Sequence, residues 1–180
     1  MLRFALAALL IASVSAPVAA QKGHDGPVAS RLSSQMFARK ARAGDQFEII
    51  SSQLALSRSR NPQIRSYARR LIADHRANDR QLRAIITGAG LRLPPARPDA
   101  EGQMLLQHLR AVPPREFNQA FIETQVDAHQ NAIDLYRTYA SRGQQPQLRR
   151  FAEQQLPVLR EHFQMGQRLD RRLSAYRPPR

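Results

Sequence analysis

The 180-residue sequence contains no cysteine. Disulfides and thiolate metal sites are therefore excluded, and no lipid-anchored form is expected. Lysine is nearly absent: only Lys22 and Lys40 occur, so the net charge of +14 is carried by arginine. The arginines are scattered over every predicted helix rather than along one stripe, which argues against a nucleic-acid partner. Anionic lipid head groups or other acidic envelope surfaces are the expected counter-ions. The plain alternative is that arginine is simply the favoured surface cation. Strand-like alternation is lacking. Long apolar runs are lacking too, apart from Phe4 to Val14, which is too short to span a bilayer comfortably.

That one run has another use. Arg3 precedes it and Val18-Ala19-Ala20 follows, so residues 1–20 read as a signal peptide cleaved after Ala20. An exported protein, periplasmic or secreted, is expected. Residues 21–32 are polar and contain glycine and proline, the composition of a disordered segment. Residues 33–173 form the predicted bundle domain, and 174–180 a basic, proline-rich tail.

Within the domain, proline and glycine mark the boundaries. Ser33 or Ser34 caps a first helix to about Ser59. Asn61-Pro62 reads as cap and first residue of a second, which runs to about Thr87 before Gly88 and Gly90 stop it. Pro94, Pro95 and Pro98 forbid helix over 91–98, and a short helix follows over about 100–111. A fourth spans about 114–142, and Pro146 opens a fifth that reaches about Leu173. Pro157 lies inside that last helix, where it should kink or interrupt it.

Near-heptad apolar stripes run along the four long helices: Ile64, Leu71, His75, Leu82 and Ile85 on the second; Ile122, His129, Ile133 and Tyr136 on the fourth; Leu148, Leu159, His162 and Leu169 on the last. The first is looser, with Gly44, Phe47/Glu48, Ser51 and Leu54/Ala55. Such spacing makes a left-handed four-helix bundle. The octet Asn61–Ala68 repeats in type as Gln145–Ala152, and both begin the second helix of a hairpin. Two related hairpins joined by residues 88–113 imply a crossover along the bundle. The expected fold is thus all-α: a ferritin-like four-helix bundle whose long crossover carries a short extra helix.

Polar residues occupy apolar positions at one height. At ~1.5 Å rise per residue, Glu48, His75, His129 and His162 all fall in the middle third of the bundle. Three imidazoles and a carboxylate there could bind copper, zinc or iron. Asp79 is i+4 from His75, Gln125 is i−4 from His129, and Met165 is i+3 from His162, so each is a candidate secondary ligand. The other reading is a buried His/Glu hydrogen-bond network without metal. Di-iron carboxylate bundles use Glu-x-x-His, but Ile72, Val126 and Leu159 stand three residues before the histidines. No catalytic residue is assigned on this pattern. Asp74, Glu161 and Asp127 point about 100–200° away from the histidine stripes and are expected to be solvated.

The chain resembles the exported bacterial family called domain of unknown function 4142, often labelled outer-membrane proteins. The resemblance covers about residues 33–170. It is carried by Phe47-Glu48-Ile49, Asn61-Pro62 with Tyr67-Ala68, Ile72-Ala73-Asp74-His75 with Asn78 and Leu82, Phe117, Gln125-x-x-x-His129 with Ile133 and Tyr136, and Leu156-Pro157-x-Leu159-x-x-His162. It implies a ferritin-like fold and export, and supplies no reaction. The outer-membrane label finds neither barrel strands nor an anchor in this sequence.

Overall fold

The structure, a computed structural model, describes residues 32–175. The expected signal peptide, nearly all of the expected disordered segment and most of the tail lie outside the described residues. Five helices follow in order: α1 (Ser34–Arg58), α2 (Pro62–Gly88), α3 (Ala100–Ala111), α4 (Phe117–Arg142) and α5 (Pro146–Ala175). Ser33 caps α1 by accepting from the Met36 amide, and Asp99 caps α3 by accepting from Gly102. The two repeated octets are capped alike. Asn61 Oδ1 accepts from the amides of Gln63 and Ile64, and Gln145 Oε1 from those of Gln147 and Leu148.

Two boundaries and one expected interruption differ from the sequence reading. α4 begins at Phe117 rather than 114, because Pro113 opens a turn closed by a bond from the Glu116 amide to its carbonyl. α5 passes through Pro157 without interruption and takes in Ser174 and Ala175, so the tail starts later. Glu153 and Pro157 are both exposed, which leaves the freed carbonyl within reach of water.

The contacts at the two ends of α1 establish the topology. At its start, the Tyr139 hydroxyl of α4 donates to Ser34 Oγ at 2.6 Å. At its end, the Arg58 guanidinium donates to the carbonyls of Leu109 and Val112, each at 2.6 Å, and lies 4.6 Å above the Phe117 ring. α1 and α4 are therefore antiparallel, and the segment between α2 and α4 traverses the bundle from end to end. The helices form a ring in the order α1, α2, α5, α4, with α3 against α1 and α4. Gly102 permits that close seat: a Cβ there would stand 3.0 Å from Pro98 Cβ and 3.5 Å from Phe47 Cβ. This is the expected crossover bundle.

Two apolar clusters fill the ends of the bundle. One gathers Phe37, Leu82, Ile86, Tyr136, Tyr139, Leu148 and Phe151; the other gathers Ile64, Tyr67, Leu71, Leu109, Phe117, Phe121 and Ile122. Each fully buried large side chain contributes ~1.5–3 kcal/mol. Between the clusters lies a buried polar layer: Asp45, Glu48, Ser51 and Ser52 from α1, His75 and Asn78 from α2, Gln125 and His129 from α4, and His162 from α5. The buried stripe of α1 is Ala38, Ala41, Asp45, Glu48, Ser52 and Ala55, with the 3-4-3-4-3 spacing of a bundle helix. Gly44, expected in that stripe, is instead exposed. Its neighbour Asp45 is turned inward to meet α2.

Candidate metal centre

The polar layer is built by helix periodicity, which carries each histidine stripe to the bundle axis at the same height. The His75, His129 and His162 rings have centroids 5.3 to 5.6 Å apart. One nitrogen from each lies within 4.8 Å of the others. A metal–nitrogen bond of ~2.0 Å puts neighbouring ligand nitrogens ~3.3–3.6 Å apart. His129 Nε2 and His162 Nδ1 already have that spacing, at 3.3 Å, and no pair is more than about 1.5 Å beyond coordination distance.

The second nitrogen of each ring is held by an acceptor. His75 Nδ1 donates to Asp45 Oδ1 at 2.8 Å, His129 Nδ1 to the Gln125 carbonyl at 2.8 Å, and His162 Nε2 to Asp74 Oδ2 at 2.9 Å. A backbone carbonyl only accepts, so the proton of neutral His129 sits on Nδ1. Asp74 does the same for His162: despite partial burial, bonds from Arg70 and His162 hold its carboxyl below the usual range and keep it ionised. The inward nitrogens His129 Nε2 and His162 Nδ1 are then lone pairs, and His75 Nε2 becomes one once that ring gives up its second proton. His75 Nε2 has no hydrogen-bond partner.

Burial sets the charge of these rings. It pushes His129 well below its ordinary range, helped by the charge of His75, and lowers His162 to about 4. Both rings are therefore neutral near pH 7, and their facing lone pairs repel unless a proton or a cation lies between them. His75 runs the other way. Burial pushes it down, but the Asp45 hydrogen bond and the charge of Glu48 outweigh this and raise it. Burial likewise raises Glu48, to about 7, and raises Asp45 despite its bonds from His75 and Asn78.

Glu48 reaches the layer without joining the cluster of three histidine nitrogens. Its Oε1 is 3.8 Å from His129 Nδ1, the nitrogen already committed to Gln125, and its Oε2 has no partner. The expected secondary ligands are placed elsewhere. Asp79 is bound to Arg42 at 3.0 Å, because the i+4 position from His75 falls beside α1 and the crossover. The Gln125 side chain donates to Ser51 Oγ at 3.1 Å, so only its carbonyl serves a histidine. Met165 packs against the apolar cluster that holds Phe121.

Two acids escaped the sequence reading. Asp74, expected to be solvated, binds His162, because the flank of α2 that carries it faces α5. Asp45 is buried and takes bonds from His75 and both of its oxygens from Asn78, at 2.9 and 2.8 Å. Its i−3 relation to Glu48 was the available signal. Glu161 does remain at the surface, paired with Arg70 at 3.5 Å.

An antiparallel crossover bundle with three inward imidazoles, each fixed by an outer acceptor, defines a class of helical protein with a histidine centre. The chain belongs to the family described as Domain of unknown function (DUF4142), whose model matches residues 18–169. No curated protein matches it. Among solved structures it is similar in fold to CopM in the Cu(II)-bound form, with 17% identity, 77% of this chain and 96% of that chain covered, and a TM-score of 0.66. It is also similar to a DUF305 fragment from Deinococcus radiodurans, at 19% identity, 76% and 95% coverage and a TM-score of 0.65. Both neighbours match over nearly their whole length.

Proposed function

We propose that this protein binds one transition-metal ion, copper in preference to zinc, on His75, His129 and His162. One observation carries the reading. Each of the three imidazoles is held by an outer acceptor through one nitrogen, and one nitrogen of each ring lies within 4.8 Å of the others, with His129 Nε2 and His162 Nδ1 3.3 Å apart. Metal-binding histidines are oriented by such outer acceptors, which fix the tautomer and raise ligand basicity. Three nitrogen donors with no thiolate suit copper or zinc better than iron, whose bundle sites use carboxylates. The Cu(II) in the structure of CopM favours copper, as an analogy of fold.

The role that follows is sequestration or carriage rather than catalysis. Export, read from residues 1–20, places that role in the envelope or outside the cell. Among the described residues no helix is long and apolar enough to cross a membrane. The arginine-rich surface suits contact with anionic head groups. A second reading, a structural His/Asp network without metal, is favoured by Asp45, whose bonds from His75 and Asn78 need no ion.

Titration of the metal-free protein with Cu(II) and Zn(II) by calorimetry separates the two. One ion per chain is expected, with nitrogen hyperfine structure in the Cu(II) electron paramagnetic resonance spectrum. His75→Ala/His129→Ala is expected to lose the site. Equal metal content in both proteins overturns the metal reading.

A further inference from the structure

The centre is buried, but it is not sealed. A cleft of about 710 Å³ opens between α1, α3 and α4, and Glu48, His75 and His129 lie along its wall. The charges around it depart sharply from the rest of the chain. Six of the 14 acidic residues line it, Asp45, Glu48, Asp99, Glu101, Glu123 and Asp127, against one of the 28 basic residues, Lys40. In a protein of net charge +14, a cation approaching elsewhere meets a repulsive surface. Here acids surround a low-dielectric passage, an arrangement that focuses an attractive field.

A second observation concerns the inner end. Glu48 is 4% exposed, lines the cleft, and has one carboxylate oxygen without a partner. Its other oxygen is 3.8 Å from the His129 ring, and His75, which also lines the cleft, carries an unpartnered Nε2. The mouth acids Glu101, Glu123 and Asp127 are exposed, whereas Glu48 and the two histidines are buried. Oxygen donors thus lead from the surface to nitrogen donors inside.

We propose that this cleft is the route by which a divalent transition-metal ion reaches the histidine centre, with Glu48 as the transfer ligand for the last step. The inference rests on the metal-binding reading above. Glu123 and Asp127 raise the local cation concentration. Glu48 takes the ion as it sheds water and passes it to His129 and His75. The carboxylate holds the ion only in transit and is not part of the final ligand set.

The test is the rate of loading, with Cu(II) chloride as the probe. The chain has no tryptophan, so quenching of tyrosine fluorescence, to which Tyr136 at the cleft contributes, can be followed by stopped flow. Wild-type loading should slow as salt is added. Glu123→Gln/Asp127→Asn, at exposed positions, should load several-fold more slowly at low salt and lose most of the salt dependence. Glu48→Gln should load about tenfold or more slowly yet still reach one ion per chain, with circular dichroism verifying its fold. An unchanged loading rate in either variant overturns the route. Loss of equilibrium binding in Glu48→Gln also overturns it, by making Glu48 a permanent ligand. If wild type takes up no ion, the metal-binding reading fails first, and that result is separable from a rate that merely does not change.

Discussion

The Nε2–H of His162 on α5 is donated to Asp74 on α2 at 2.9 Å, and this one bond selects which nitrogen of His162 faces the centre. Asp74 is only half-buried and also accepts from Arg70, so the orienting group reaches the protein surface. Asp74→Asn keeps the shape but can donate to the ring as well as accept, which frees the tautomer. Copper affinity should fall about 10- to 100-fold with the stoichiometry unchanged, as measured by competition against a chelator. Unaltered affinity would show that Asp74 does not orient the ligand.

Binding to the folded state alone adds stability by mass action. At a free copper concentration 100 times the dissociation constant the gain is about 2.7 kcal/mol. For a domain of this size that raises Tm by roughly 8–11 °C. Calorimetric melting with and without copper checks it, and His75→Ala/His129→Ala should show no copper-dependent shift.

Glu48 gives the metal-free protein a pH dependence of definite sign. Burial raises its folded pKa from 4.5 to about 7. The folded protein therefore holds this proton more tightly than the unfolded chain does. The contribution is fully present below about pH 4.5 and is lost as pH rises through 7. His162, lowered to about 4, acts oppositely and loses its contribution as pH falls. Comparison with Glu48→Gln isolates the carboxyl. Between pH 4.5 and 8, wild type should lose about 3 kcal/mol relative to the variant in urea unfolding.

The Arg42–Asp79 pair joins α1 to α2, and Arg42 also donates to the Pro94 carbonyl of the crossover. Arg42 is buried, so its removal leaves a carboxylate and a carbonyl without their partner. Arg42→Ala should cost about 3 kcal/mol in chemical denaturation. Copper stoichiometry should remain that of wild type. A lost ion in an otherwise folded Asp79→Asn variant would return Asp79 to the ligand set.

The architecture was legible because its signals are local. Asn61-Pro62, the Pro94–Pro98 stretch and Pro146 mark the breaks, and the stripes between them have helical period. The three histidines were legible for the same reason, since each replaces an apolar residue in a regular stripe. Asp74 and Asp45 were not, because each helix in a ring of four touches two neighbours. Asp74, about 100° off the stripe of His75, is turned toward the second neighbour rather than to water, whereas Asp45 lies on the true stripe of α1 in the place expected for Gly44. Asp79 and Met165 show the reverse error. Correct spacing from a histidine put them on the right side of the helix, but Arg42 and the apolar cluster had already claimed those directions. The first helix misled for a related reason: with small residues around Glu48, the apolar pattern did not distinguish Gly44 from its neighbour Asp45.

The crossover divides the three histidines between two halves of the chain, with His75 on the first hairpin and His129 and His162 on the second. Neither half carries all three, so occupancy of the complete three-histidine centre would report that the halves have docked. An ion seated there is a clasp between two folding units whose only covalent link is the segment bearing α3. If a protease cut that segment, copper could keep the two fragments together, and its removal would let them part.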